Sequence, residues 1–164
     1  MKSQPNRNYI SNDDVQTPVG LAKLIVEHFD SQIDLNDTLL EPCKGDGNFH
    51  KFMWHSDYCE IKEGKDFFDY SSHVNWIITN PPWSLFRKFL VKAMGVADNV
   101  VFLVTINHIW TKARIRDIRQ ANFGIKEIVL VTMPASFPQS GFQLGAIHLQ
   151  KNYMGNIELT NLMK

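Results

Sequence analysis

Cysteine, long apolar runs and net charge are all scarce in this chain, and each scarcity removes a class of explanation. Only Cys43 and Cys59 are present, without metal-ligand spacing and without the density of a disulfide scaffold, which fits a reducing compartment. No apolar stretch reaches the roughly 18 residues that a membrane span needs. The opening MKSQPNRNYISNDD is polar and unlike a signal sequence. The expectation is a soluble, cytoplasmic protein with no membrane partner. The 17 basic and 17 acidic side chains cancel, so no whole-molecule field draws the protein to nucleic acid; any such attraction has to be local. No internal repeat is visible either. What remains is a chain of 164 residues that is 44% hydrophobic, enough for one domain with its own core.

Residues 1–14 read as a polar, flexible arm, and residues 15–164 as a single domain. In TPVGLAKLIVEHF, Leu21, Leu24, Ile25 and Phe29 recur at helical spacing, with Thr17 and Pro18 as cap and first-turn pair. DTLLEP is a short strand, KGDGN a turn and FHKFMWH a second helical segment. DYCEI is another strand, followed by the turn EGKD. After the strand WIIT, the segment SLFRKFLVKAMGVA places Leu85, Phe86, Phe89, Leu90 and Ala93 on one helical face. NVVFLVTI is continuously apolar, as expected of a strand buried on both faces. KARIRDIRQANF follows as a polar helix. IKEIVLVTM and FQLGAIHLQ flank the loop PASFPQSG and suggest a hairpin. Strands alternating with helices predict a doubly wound, mostly parallel α/β sheet, and the closing pair predicts an antiparallel edge strand.

Ligands of such sheets lie beyond the carboxyl ends of the strands, at the point where strand order reverses. The polar residues ending each strand are therefore the candidates. The first end reads LLEPCKGDGNF, where Glu41 and Pro42 precede Gly45 and Gly47, whose small size lets a ligand approach the backbone. Glu60 ends the second strand about twenty residues later, where nucleoside-binding folds place an acid on ribose hydroxyls. Asp66 and Phe67 put an acceptor beside a flat ring. The fourth end is Asn80-Pro81-Pro82-Trp83. Its prolines fix the backbone and lack N–H groups. The Asn80 side chain and the Pro81 carbonyl are thus acceptors for an exocyclic amino group, and Trp83 offers a face on which a base can stack.

These residues resemble the S-adenosylmethionine-dependent, Rossmann-like amino-methyltransferases, most closely the N6-adenine methyltransferases. NPPW is similar to their catalytic (D/N)PP(Y/F/W) motif and EPCKGDGNF to their cofactor motif DPxxGxGxF. TPVGLA, with Thr17 and Pro18, is similar to the element that covers the methionine end of the cofactor. The resemblance spans about residues 15 to 150. It implies S-adenosylmethionine as cofactor, its methionine moiety held by Glu41 and the backbone around Gly45 and Gly47, its ribose by Glu60, and its adenine by Asp66 and Phe67. It also implies a catalytic role for Asn80 and the Pro81 carbonyl. Adenine N6 is a poor nucleophile until it pyramidalises, which acceptors on its hydrogens favour, and the base must first leave its stack. The sulfonium brings its own leaving group, so no metal is implied.

The chain departs from that pattern in two places. Cys43, Lys44 and Asp46 add a lysine and a carboxylate near the methionine site. Only about 80 residues follow NPPW, where DNA methyltransferases of this motif order carry a target-recognition region, so target readout is expected from loops or a partner subunit. Arg87, Lys88, Lys112 and Arg114 lie after the third and fourth strands and could neutralise phosphates; the same charges also fit a solvated helix face. Phe137 and Phe142 could stack on a base or belong to the core. Nucleic acid is the expected substrate, DNA ahead of RNA, in an enzyme whose shortness would suit a phage or mobile element. Two other readings stay open: an N5-glutamine protein methyltransferase, because NPP accepts any planar amino group, and a catalytically silent binding subunit.

Overall fold

The computed structural model describes residues 13–164; residues 1–12 of the expected arm lie outside it. A seven-stranded sheet runs in the order β2-β1-β3-β4-β6-β5-β7. Its strands are β1 (Leu39–Glu41), β2 (Asp57–Tyr58), β3 (Val74–Thr79), β4 (Ala97–Thr105), β5 (Phe123–Leu130), β6 (Leu144–Lys151) and β7 (Glu158–Asn161). β2, β1, β3 and β4 are mutually parallel. The expected closing hairpin forms: β6 runs antiparallel to both β4 and β5. It stands at that end of the sheet, two places in from the outermost strand, because β5 lies beside it and β7 adds in parallel outside β5.

Side chains alternate across the strands, so each face has its own core. Leu40, Ile77, Val100, Phe102 and Val104 meet α2 (Phe86–Val96) and α3 (Lys112–Gln120). Leu39, Trp76, Ile78, Val101 and Leu103 meet α1 (Val19–Asp30) on the other. The sheet is doubly wound, as its pattern predicts. Phe29 and Phe86 are sealed from solvent, and burying such a side chain is worth about 1.5–3 kcal/mol.

Several sequence expectations need correction. On α1 the buried stripe is Ala22, Ile25, Val26 and Phe29, one position round from the expected Leu21 and Leu24. Its N-cap is Pro18, and among the described residues no side chain caps it. Leu85 is exposed and precedes α2. The helix expected at FHKFMWH shrinks to a single 3-10 turn, His50–Phe52. Only Phe49 and Met53 are buried there, while Trp54 is half exposed, so no continuous apolar face exists to extend a helix. β7 was not foreseen. It carries a single inward polar anchor, Thr160, which donates to the buried Glu127 carboxylate of β5 at 2.6 Å, a group also bonded to His28 of α1 at 2.8 Å. Among the described residues no helix is long and apolar enough to cross a membrane.

Candidate active site

Strand order reverses between β1 and β3, and a cavity of about 370 Å³ opens beyond their carboxyl ends, inside the range of about 300–1,000 Å³ usual for small-molecule sites. It gathers Thr17, Glu41, Pro42, Gly45, Glu60, Asp66, Phe67, Asn80 and Pro82 from segments far apart in sequence. Pro18 and Gly47 are outside its lining. Gly47 serves the turn instead, at φ +77°, and Gly45 stands at φ +50° with its backbone so close to the Gln16 side chain that an added methyl group would collide. Both conformations favour glycine.

Glu41 ends β1 inside this cavity. Only 1% of it is exposed, and its Oε2 has no hydrogen-bond partner among the described residues. Burial pushes its carboxyl up to about 8, against a backbone bond from His50 and the charge of Lys44, which act the other way. The Thr17 hydroxyl is likewise buried and without a partner. Two unpartnered polar groups in one cavity are costly, and the Glu41 carboxyl, once ionised, suits a ligand with a cationic, hydrogen-bond-donating end.

Glu60 is already engaged. Its Oε2 accepts from the Gly45 N–H at 2.7 Å and its Oε1 from the Lys62 N–H at 3.0 Å, so it holds the glycine turn while lining the cavity. Asp66 accepts from the Phe68 N–H at 2.9 Å and begins the turn that buries Phe67 and leaves Phe68 at the cavity wall. Lys44 turns to Glu63 at 2.8 Å and lies over the Tyr58 ring. Cys43 donates its thiol hydrogen to the Asn80 carbonyl at 3.3 Å and contacts Thr79 Oγ1 at 3.1 Å; burial drives that thiol far above its ordinary pKa. Both cysteines are free thiols.

Residues 13–17 cross the mouth of this cavity as a strap. Asp13 accepts from both the N–H and the hydroxyl of Ser84, Asp14 pairs with Lys62 at 2.9 Å, and the Gln16 amide oxygen accepts from the Asp46 N–H at 3.0 Å. Asn48 donates to the Thr17 carbonyl at 2.8 Å. The last two residues of the expected arm thus belong to the site. No sequence motif marks Asp13 or Gln16. Ile61 and Phe68 also line the cavity, and each had a signal: an apolar residue directly after Glu60, and the second half of the Phe67-Phe68 pair.

Asn80, Val15 and Asp13 form a wall shared with a second cavity of only about 20 Å³, closed on its far side by Pro81, Trp83, Phe137 and Pro138. The Trp83 indole N–H donates to Asn80 Oδ1 at 3.0 Å and to the Leu103 carbonyl at 3.2 Å. His108 lies 5.7 Å from the Trp83 ring and Phe137 meets it edge-on at 6.0 Å. Phe137 is buried, a core support for Trp83 rather than an exposed stacking surface; Phe142 is the exposed one.

The basic candidates divide. Arg87 is tied to Asp117 at 2.6 and 3.0 Å, and Arg114 donates to the His108 carbonyl and packs over Phe86 at 5.1 Å, its charge disfavoured by burial. Lys88 and Lys112 are exposed to solvent. None of the four lines either cavity.

No family model matches this chain, and no curated protein does. Solved structures do. A candidate class I S-adenosylmethionine-dependent methyltransferase from Listeria monocytogenes superposes with TM-score 0.69 at 14% identity, over 94% of this chain and 68% of that one. A candidate RNA methyltransferase from Pyrococcus horikoshii gives 0.59 at 14% identity, over 85% and 87%. The modification subunit of a candidate type I restriction enzyme from Vibrio vulnificus gives 0.60 at 14% identity, over 90% of this chain but 47% of that chain. The chain has the Rossmann-like fold of class I S-adenosylmethionine-dependent methyltransferases.

Proposed function

We propose that the protein transfers a methyl group from S-adenosylmethionine to the N6 amino group of adenine in nucleic acid, DNA ahead of RNA. The observation that carries this reading is the position of Asn80-Pro81-Pro82-Trp83. It ends β3 at the wall between a cavity with orphaned acceptors and a small pocket lined by prolines and aromatic rings. S-adenosylmethionine fits the larger cavity by charge. Its methionine ammonium and sulfonium suit the Glu41 carboxylate and the Thr17 hydroxyl, and its adenosine end suits Glu60, Asp66, Phe67 and Phe68. When bound, it supplies an electrophilic methyl group.

The chain's own residues supply positioning. Asn80 Oδ1 and the Pro81 carbonyl accept from the two hydrogens of the target amine as it pyramidalises, stabilising the transition state more than the planar ground state. Trp83 and the prolines keep the amine against the wall and exclude water. One structural neighbour is named as an RNA methyltransferase and another as the modification subunit of a restriction enzyme, which accords with this substrate. A pocket of about 20 Å³ is too small for a base, so the target side must open, and a partner subunit that opens it would also supply target readout.

The test is methyl transfer from labelled S-adenosylmethionine to duplex DNA, single-stranded DNA, RNA and protein extract in parallel. Label recovered as N6-methyladenine after digestion is the expected result. Label recovered in glutamine, or in no macromolecule, overturns it.

A further inference from the structure

Trp83 is expected to matter for its ring, yet its ring nitrogen is placed where it decides something else. An asparagine amide has two ends of nearly equal shape and opposite character, an oxygen that accepts and an NH₂ that donates. Turned one way, Asn80 welcomes an amine's hydrogens; turned the other, it repels them. An indole N–H is a donor only, so the atom of Asn80 that faces it is the oxygen. The 3.0 Å contact therefore fixes the amide's orientation, and the simultaneous 3.2 Å bond to the Leu103 carbonyl anchors the indole to β4. His108 and Phe137 hold the ring in place. Trp83 and Asn80 both line the small cavity, so the bonded pair stands at that side of the wall. An oxygen has two lone pairs, and the indole uses one.

We infer that Trp83 is a positioning residue for Asn80: its N–H selects the amide orientation that presents an acceptor to the target amine. The inference rests on the proposed function and deepens it, by assigning the fourth residue of the motif a role that a phenyl ring, which has no donor, cannot fill. It also explains why asparagine needs such a partner. Aspartate would not, because its two oxygens are equivalent and either orientation presents an acceptor.

The experiment combines kinetics with a readout independent of activity. In Trp83→Phe the ring remains and the N–H is lost. Expected is a fall in kcat of about tenfold, with KM for an adenine-containing oligonucleotide changed less than twofold. In the Asn80→Asp background the same Trp83→Phe change should cost less than twofold, a non-additivity characteristic of groups that act through each other. Retained kcat in Trp83→Phe, a rise in KM alone, or an equal cost in both backgrounds overturns the inference. In nitrogen-labelled protein, the Trp83 indole resonance, assigned in the wild type through its contacts to neighbouring residues, should shift in Asn80→Ala; an unmoved resonance also overturns it, and this measurement stands even if Trp83→Phe folds poorly. Wild-type protein without adenine methylation sinks the proposed function instead, while the resonance still decides whether the indole and the amide are paired.

Discussion

On the β1 side of Asn80 the chain leaves about 370 Å³, and buried there are Glu41 Oε2 and Thr17 Oγ1, with no partner among the described residues. On the Trp83 side it leaves about 20 Å³, and the polar side chains that line it are already engaged: the indole with Asn80 and Leu103, and Asp13 with Ser84. The first side carries unmet demand, and a ligand relieves it. The second is satisfied, so a ligand must displace something. The lesson is about order. On the proposed function, the cofactor half is preformed, whereas the target half has to be opened, and recognition of the target bears the cost of that opening.

The largest expected effect falls on the residue between the two sides. Asn80→Ala should lower kcat by one to two orders of magnitude, the scale for one well-placed polar group at a reacting centre, and leave cofactor affinity almost unchanged. Comparable losses in both quantities would show that the two sides do not separate at Asn80. Single-turnover rates together with calorimetry make the comparison.

Glu41→Gln should act on the preformed side alone. Hydrogen bonds to a charged group are worth about 1.5–3 kcal/mol, so cofactor affinity should fall about tenfold or more. Its pH dependence carries a sign. The folded protein holds the Glu41 proton up to about 8, well above the ordinary 4.5. That contribution to stability is fully present below 4.5 and lost as pH rises through about 8. Ligand-free Glu41→Gln should therefore gain thermal stability on the wild type between pH 5 and 8. Over the same range wild-type cofactor affinity should strengthen, because a cationic ligand prefers the ionised carboxylate. A variant whose melting temperature tracks the wild type at every pH would contradict an unpartnered, buried Glu41.

Glu60→Ala comes next, with a loss of about tenfold in cofactor affinity. Glu60 also accepts from Gly45 and Lys62, so part of that loss is a loosened glycine turn. Hydrogen exchange at residues 44–47 reads that part separately. The smallest effect is expected at Arg87, whose charge is spent on Asp117. Arg87→Ala should change nucleic-acid affinity and its salt dependence less than Lys112→Ala does. The reverse ranking would place Arg87 on the phosphate path.

How much of this was legible in the sequence follows the same division. The apolar runs at 76–79 and 99–106 could be read because burial on both faces writes itself as continuous hydrophobicity, and the hairpin strands because they flank the loop PASFPQSG. Glu41 and Asn80 could be read because they stand at the ends of β1 and β3, where the topology brings strand ends together; Glu60 and Asp66, expected at strand ends, instead cap short 3-10 turns in the loop after β2. The strap was illegible: Asp13 and Gln16 act through polar contacts to residues 71 and 30 positions away, and no local pattern encodes those. β7 was hidden for a related reason, since one threonine bonded to a buried glutamate leaves no periodicity. Phe137 was open between core and substrate in the sequence, and the packing of Trp83 decides it.

The claim that one half is ready and the other closed is tested most directly by hydrogen exchange on the nucleic-acid-free protein, with and without S-adenosylhomocysteine. Protection is expected at residues 41–49 and 60–69 and across the strap, with residues 131–143, around Phe137, unchanged. Absence of any protection at saturating ligand, or protection concentrated at 131–143, would contradict the account.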